Sequence, residues 1–89
     1  MKLSQTSQFK KDIKRQVKQG KDEKKLIAVL STLLAGSPLP PKNLDHPLKG
    51  AWKGRRDCHI EPDWVLIYRN KPDALYLERS GSHSDLFKK

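Results

Sequence analysis

The stretch Glu61-Pro62-Asp63-Trp64-Val65-Leu66-Ile67-Tyr68-Arg69-Asn70-Lys71-Pro72-Asp73 decides the fold. Its centre is an aromatic and β-branched run, and on each side a proline followed by aspartate marks a turn rather than a continuing element. A strand over residues 64–69 therefore lies between two tight connections. Working outward, residues 52–60 and 74–80 carry the same texture, and connections this short join neighbours in an antiparallel meander.

The N-terminal half reads differently. Residues 2–5 form a short first strand, and Thr6 or Ser7 caps a helix on which Phe9, Ile13 and Val17 recur every fourth residue until Gly20. Asp22 caps a second helix, with Leu26, Ile27, Leu30, Leu33 and Leu34 on one face, stopped by Gly36 and Pro38. The result is an α-hairpin followed by a proline-rich connector over residues 37–43. The expected fold is α+β: an N-terminal strand and α-hairpin packed on one face of a mainly antiparallel sheet of about four strands, with a basic rim opposite. Residues 1–89 leave room for one domain and one modest core.

Nineteen Lys and Arg against ten Asp and Glu give a formal charge of +9, which favours a polyanionic partner. Eight of those bases lie between Lys10 and Lys25. Lys49, Lys53, Arg55, Arg56, Arg69 and Arg79 extend the excess into the sheet half, as in a footprint for phosphates. No apolar stretch is long enough to cross a membrane and the N-terminus lacks an apolar signal core, so the expected location is cytoplasmic, with no membrane partner. A lone cysteine, Cys58, allows no internal disulfide and suits a reducing compartment. Burial on a strand is its expected fate.

All three histidines, His46, His59 and His83, stand beside turn or strand-end signals, where they can converge on one rim of a sheet. Asp63 follows His59 by four residues, but Pro62 opposes a helix, so the two should face each other across a hairpin. Two histidines around a phosphate can serve as general base and general acid in one turnover. RNA cleavage needs that pair, together with cations that offset charge on the phosphorane. Two other readings stay open on residues alone: purely structural histidines, and a zinc site using the three with Asp63. The wide spacing of the histidines lacks the short chelating pair that metal sites usually show. Most aromatics belong to the core; Phe87 either anchors the tail or stacks on a base.

Asp45-His46-Pro47-Leu48-Lys49-Gly50, Trp52-Lys53-Gly54, Arg56-Asp57, His59, Glu61-Pro62-Asp63-Trp64 and Leu66-Ile67-Tyr68 fall in order along the chain. With the tail Glu78-Arg79-Ser80-Gly81-Ser82-His83 and Leu86-Phe87, this pattern closely resembles the YafQ-type toxins of the RelE/ParE superfamily over nearly the whole length. Departures are mild: Cys58 stands at a small-residue place, Arg55 at an aromatic one, and Lys88 and Lys89 extend the tail.

The resemblance implies the toxin of a type II toxin–antitoxin pair, a ribosome-dependent endoribonuclease that cleaves mRNA by 2′-hydroxyl attack without metal or cofactor. It implies His46, His59, Asp63 and His83 as the catalytic set, with Arg79 and Phe87 toward substrate beside the basic Lys53, Arg55 and Arg56. The implied partners are a small DinJ/RelB-like antitoxin and the 70S ribosome with mRNA in its A site; operator DNA is met only through the antitoxin complex. Within these implied roles His83 is the general acid, His46 or His59 the base, and Asp63 the orienting carboxylate. The alternatives are a non-catalytic nucleic-acid or antitoxin-binding module and a gyrase inhibitor of the ParE branch, which shares the fold without this histidine set.

Overall fold

In the computed structural model the described residues run from Lys2 to Phe87; Met1 and the two tail lysines, Lys88 and Lys89, lie outside them. The elements follow one another as β1 (Lys2–Gln5), α1 (Ser7–Lys18), α2 (Glu23–Leu34), β2 (His46–Pro47), β3 (Arg56–Glu61), β4 (Trp64–Asn70), β5 (Ala74–Gly81) and α3 (His83–Leu86). The expected α+β architecture is present, with one strand more than expected. Five strands lie in the order β1-β5-β4-β3-β2, all antiparallel except the parallel pair of β1 with β5.

Both expected helix starts are formed. The Thr6 hydroxyl accepts from Phe9 N at 2.9 Å and the Asp22 carboxylate from Lys24 N at 3.0 Å, each satisfying an N–H that the first turn leaves open. Two residues expected on buried faces are not there: Val17 is 42% exposed and Ile27 is 54% exposed. The reason is helical geometry. Each residue advances about 100°, so a spacing of four drifts by about 40° a step and carries Val17 away from Phe9. The inward positions of α1 are instead Phe9, Asp12 and Gln16, and those of α2 are Leu26, Val29 and Leu33.

The strand expected over residues 52–60 begins only at Arg56. Before it, Gly50–Trp52 make a 3-10 turn, and Gly54 at φ +88° bends the chain through a conformation that side chains rarely adopt. That bend sends Trp52 back over the sheet. Trp64, Leu66 and Tyr68 of β4 join Phe9, Leu26 and Leu33 in the main core, while Val65 and Ile67 point the other way into a second cluster with Leu86, Leu48, Trp52 and Phe87. Central β4 is thus covered on both faces, which explains why its apolar run is continuous rather than alternating.

Strand β1 ends at Gln5, opposite Leu77, so the outer edge of β5 would be bare from there on. Side chains of α1 close it. Thr6 donates to Glu78 O at 2.8 Å, Ser80 N donates to Asp12 Oδ2 at 3.1 Å, and Gln16 donates to Ser80 O at 2.7 Å. Asp12, fully buried, also accepts from Arg79 Nε at 2.8 Å, and Gln16 Oε1 accepts from Trp64 Nε1 at 2.8 Å. Burial pushes the Asp12 carboxyl up, but the hydrogen bonds from Arg79, Ser80 and Gln8 outweigh it and hold the group below its ordinary range.

Replacing Asp12 by alanine should leave the Ser80 N–H and the Arg79 guanidinium without their partner and cost about 3 kcal/mol in urea unfolding. Because folding lowers this carboxyl's pKa, its stabilisation is complete above the unfolded carboxylate range. It is lost as pH falls below about 4, so the gap between Asp12→Ala and the parent chain should narrow in acid.

Candidate active site

The histidines gather on the sheet face opposite α1 and α2. Paired residues of neighbouring strands share a face, and the register sets His59 against Val65, Asp57 against Ile67, and His46 against Asp57. His46 and His59 therefore border the second cluster, and α3 brings His83 to the same place.

Each ring has its own support. Tyr68 Oη and Arg56 Nε hold the Asp45 carboxylate at 2.6 and 3.2 Å on the helix side; since successive strand residues alternate, His46 turns to the other face. Leu44 sits in the left-handed region at φ +48°, and its carbonyl lies 2.8 Å from His46 Nδ1. The His59 backbone carbonyl accepts from buried Asn43 at 2.7 Å, which ties the connector to the edge of β3. Its ring Nδ1 lies 3.2 Å from the Pro62 carbonyl.

His83 opens α3, a single turn closed by a capping box in which the Ser82 hydroxyl and the Asp85 carboxylate satisfy each other's backbone N–H. Asp63 Oδ1 accepts from both His83 N and His83 Nδ1, each at 3.1 Å. Those two hydrogen bonds keep the Asp63 carboxyl below its ordinary range. The expected pairing of Asp63 with His59 across the hairpin is therefore replaced by one with His83. The His59 and His83 rings stand 4.9 Å apart between centroids. All three histidines set Nδ1 against an oxygen acceptor, which leaves the lone pair of the neutral ring on Nε2.

Phe87 lies 6.0 Å from the His83 ring and 6.2 Å from Trp52, edge-on to the latter, and is half-buried in the second cluster. The expected basic contacts are mostly engaged. Arg79 is held by Asp12, Arg55 by Glu78 at 3.3 Å with its guanidinium over Trp52, and Arg56 by Asp45. Exposed Lys53 has no ion pair among the described residues. Cys58 is fully buried, and burial pushes its thiol up to about 12, so it is no nucleophile at neutral pH.

In the sequence Asp57 stands only within the Arg56-Asp57 motif, with no role implied for it. It is 3% exposed and lies beneath His46, with Nδ1 of that ring 3.0 Å from Oδ1. Strand alternation in Arg56-Asp57-Cys58-His59 was the signal that could have found it, since it puts Asp57 and His59 on one face. A groove of about 670 Å³ lies elsewhere, between α2 and the connector, and of the histidines only His59 lines it. The histidine patch itself is open, which suits a polymer laid across it better than an enclosed small molecule. Among the described residues no three of His, Cys, Asp or Glu are placed to hold one metal ion.

Residues 1–88 match the family model described as the bacterial toxin of a type II toxin–antitoxin system, YafQ. The mRNA interferase toxin YafQ of Escherichia coli K12 is 44% identical over 86 residues, covering 96% of this chain and 94% of that protein. Among solved structures, the E. coli DinJ-YafQ complex superposes with a TM-score of 0.89 at 44% identity, covering 96% of each chain. A metal-bound toxin from Helicobacter pylori does so with a TM-score of 0.92 at 45% identity, covering 98% of this chain and 99% of that one. Matched over nearly its whole length by the family model and 44% identical to a curated relative, the chain belongs to the YafQ family of type II toxin–antitoxin toxins.

Proposed function

We propose that residues 1–89 act as one catalytic domain, a cytoplasmic endoribonuclease that cuts mRNA on the ribosome by histidine acid–base catalysis without metal. The observation that carries this reading is the His59–His83 pair, 4.9 Å apart, with His83 fixed by Asp63 and His46 fixed beside them on the same face. Such a patch supplies the base and the acid that transesterification requires.

In this reading His46 or His59 removes the 2′-hydroxyl proton through Nε2, and the oxygen attacks the adjacent phosphorus. His83 delivers its Nε2 proton to the departing 5′-oxygen. Asp63 suits His83 to that part, because an ionised carboxylate at Nδ1 stabilises positive charge on the ring. Arg79 keeps donors beyond those committed to Asp12 and offsets charge on the phosphorane with them, while Lys53 meets a neighbouring phosphate. Phe87 and Trp52 form an apolar step beside the patch on which an unpaired base can stack. A DinJ/RelB-like antitoxin, through an acidic or amphipathic segment, covers this basic surface, and the pair meets operator DNA together.

The metal-bound relative makes metal dependence the competing reading. A chelator, with magnesium kept high enough to preserve the ribosome, should leave cutting intact; loss that zinc alone restores would replace this mechanism. The fragments should end in a 2′,3′-cyclic phosphate and begin with a 5′-hydroxyl. His83→Ala should bind programmed ribosomes normally and cut about a hundredfold more slowly or worse in single-turnover assays, because an alkoxide leaves poorly without an acid. If it cuts at nearly the parent rate, the acid is another histidine. Ser82→Ala should unseat α3, slowing cutting about tenfold or more through misplaced His83, while stability falls by only about 1 kcal/mol.

A further inference from the structure

Asp57 is a carboxylate in the wrong surroundings for a structural residue. It is 3% exposed, stands on β3 against the apolar Ile67, and its Oδ1 has no hydrogen-bond partner. His46 Nδ1 is only 3.0 Å from that oxygen, yet it is aimed at the Leu44 carbonyl, 2.8 Å away. The charged and titratable groups that act on Asp57 are His46 from β2, His59 two residues along β3, His83 from α3, and Asp45 beside His46. Burial pushes the Asp57 carboxyl up, and the three imidazoles pull it back, so its charge is tied to theirs.

Two acceptors, the Leu44 carbonyl and Asp57 Oδ1, face His46 Nδ1. That nitrogen must carry a proton, and the lone pair is left on Nε2, where a base needs it. We infer that Asp57 is a positioning residue for RNA cleavage, a buried carboxylate that holds His46 as the general base and stabilises the positive charge its ring gains in the reaction. The inference rests on the nuclease reading above and deepens it by choosing His46 over His59.

The 2′-hydroxyl proton passes to His46 Nε2 as the new oxygen–phosphorus bond forms. The bond from phosphorus to the 5′-oxygen breaks, and that oxygen takes its proton from His83. The His46 imidazolium so produced sits over an anionic Asp57 whose unpartnered oxygen is already in place, and solvent then resets both rings. The carboxylate set against Nδ1 thus meets the positive charge that the His46 ring gains as the transition state develops.

Asp57→Asn keeps the shape and removes the charge. With ribosome binding and circular dichroism unchanged, it should slow single-turnover cutting about tenfold or more and move the acidic limb of the pH–rate profile about one unit lower. In a His46→Gln background the same change should cost little further, since Asp57 acts through His46. A second readout needs no ribosome: carbon NMR titration of the Asp57 carboxyl in the free full chain should move to higher pH in His46→Gln, because one of the charges pulling it down is gone. An Asp57→Asn variant that cuts at the parent rate with the same pH profile overturns the inference, as does an Asp57 titration indifferent to His46. If the carboxyl responds to His46 but the parent chain leaves ribosome-bound message whole, the pairing stands and the nuclease reading fails.

Discussion

The closure of the β5 edge by Asp12 and Gln16 is the interaction on which the rest depends. A sheet whose first strand stops after Gln5 would leave Ser80 N–H and C=O bare inside the molecule, and the i and i+4 positions of α1 supply one acceptor and one donor for them. The two polar side chains do the work of a missing strand. They also fix the angle of α1 against β5, and through Gln16 Oε1 they reach the indole of Trp64 at the start of the central strand. Arg79, drawn to Asp12, is held at the border between the edge and the histidine face.

Covering β4 on both faces has unequal consequences. The helix side carries a broad core with Phe9, Leu26 and Leu33, whereas the other side is covered only by Leu48, Trp52, Leu86 and Phe87 from short, irregular segments. The histidines sit on that thinner cover. A single capped turn holds His83, and a two-residue strand preceded by a left-handed Leu44 holds His46. Segments with so few backbone hydrogen bonds of their own belong to the less stable end of a fold, where sites that must accept and release a long substrate are placed.

The net charge of +9 conceals a local pattern of a different kind. Glu78 binds both Arg55 and Arg69, Asp45 binds Arg56, and Asp12 binds Arg79, so the arginines nearest the sheet are largely neutralised. Lysines without an ion pair among the described residues, among them Lys10, Lys11, Lys14 and Lys18 of α1, Lys24 of α2 and Lys53, carry much of the excess and raise the potential over the molecule, which speeds the approach of a polyanion. At the histidines the local balance runs the other way. Asp57 lies 3.0 Å from the His46 ring nitrogen and Asp63 3.1 Å from that of His83, so in the proposed mechanism these carboxyl groups stand where the rings would gain positive charge.

Much of this was legible in the chain. The bounded run from Trp64 to Tyr68, the Thr6 and Asp22 caps and the proline–aspartate turns depend on local sterics and on neighbours a few residues away, and they placed the helices and the last two strands closely. The order of motifs around His46, His59, Asp63 and His83 carried the family. Contacts made across the fold were not legible. Nothing local says that Asp12 and Gln16 face inward, that Gly54 turns Trp52 back over the sheet, that Asp63 serves His83 rather than the nearer His59, or that Asp57 lies buried beneath His46. Each joins residues separated by other elements, and only the register of five strands and the closing of two faces bring them together. Local propensity acts over a turn or two, whereas a buried carboxylate's partner is chosen by the tertiary packing that surrounds it.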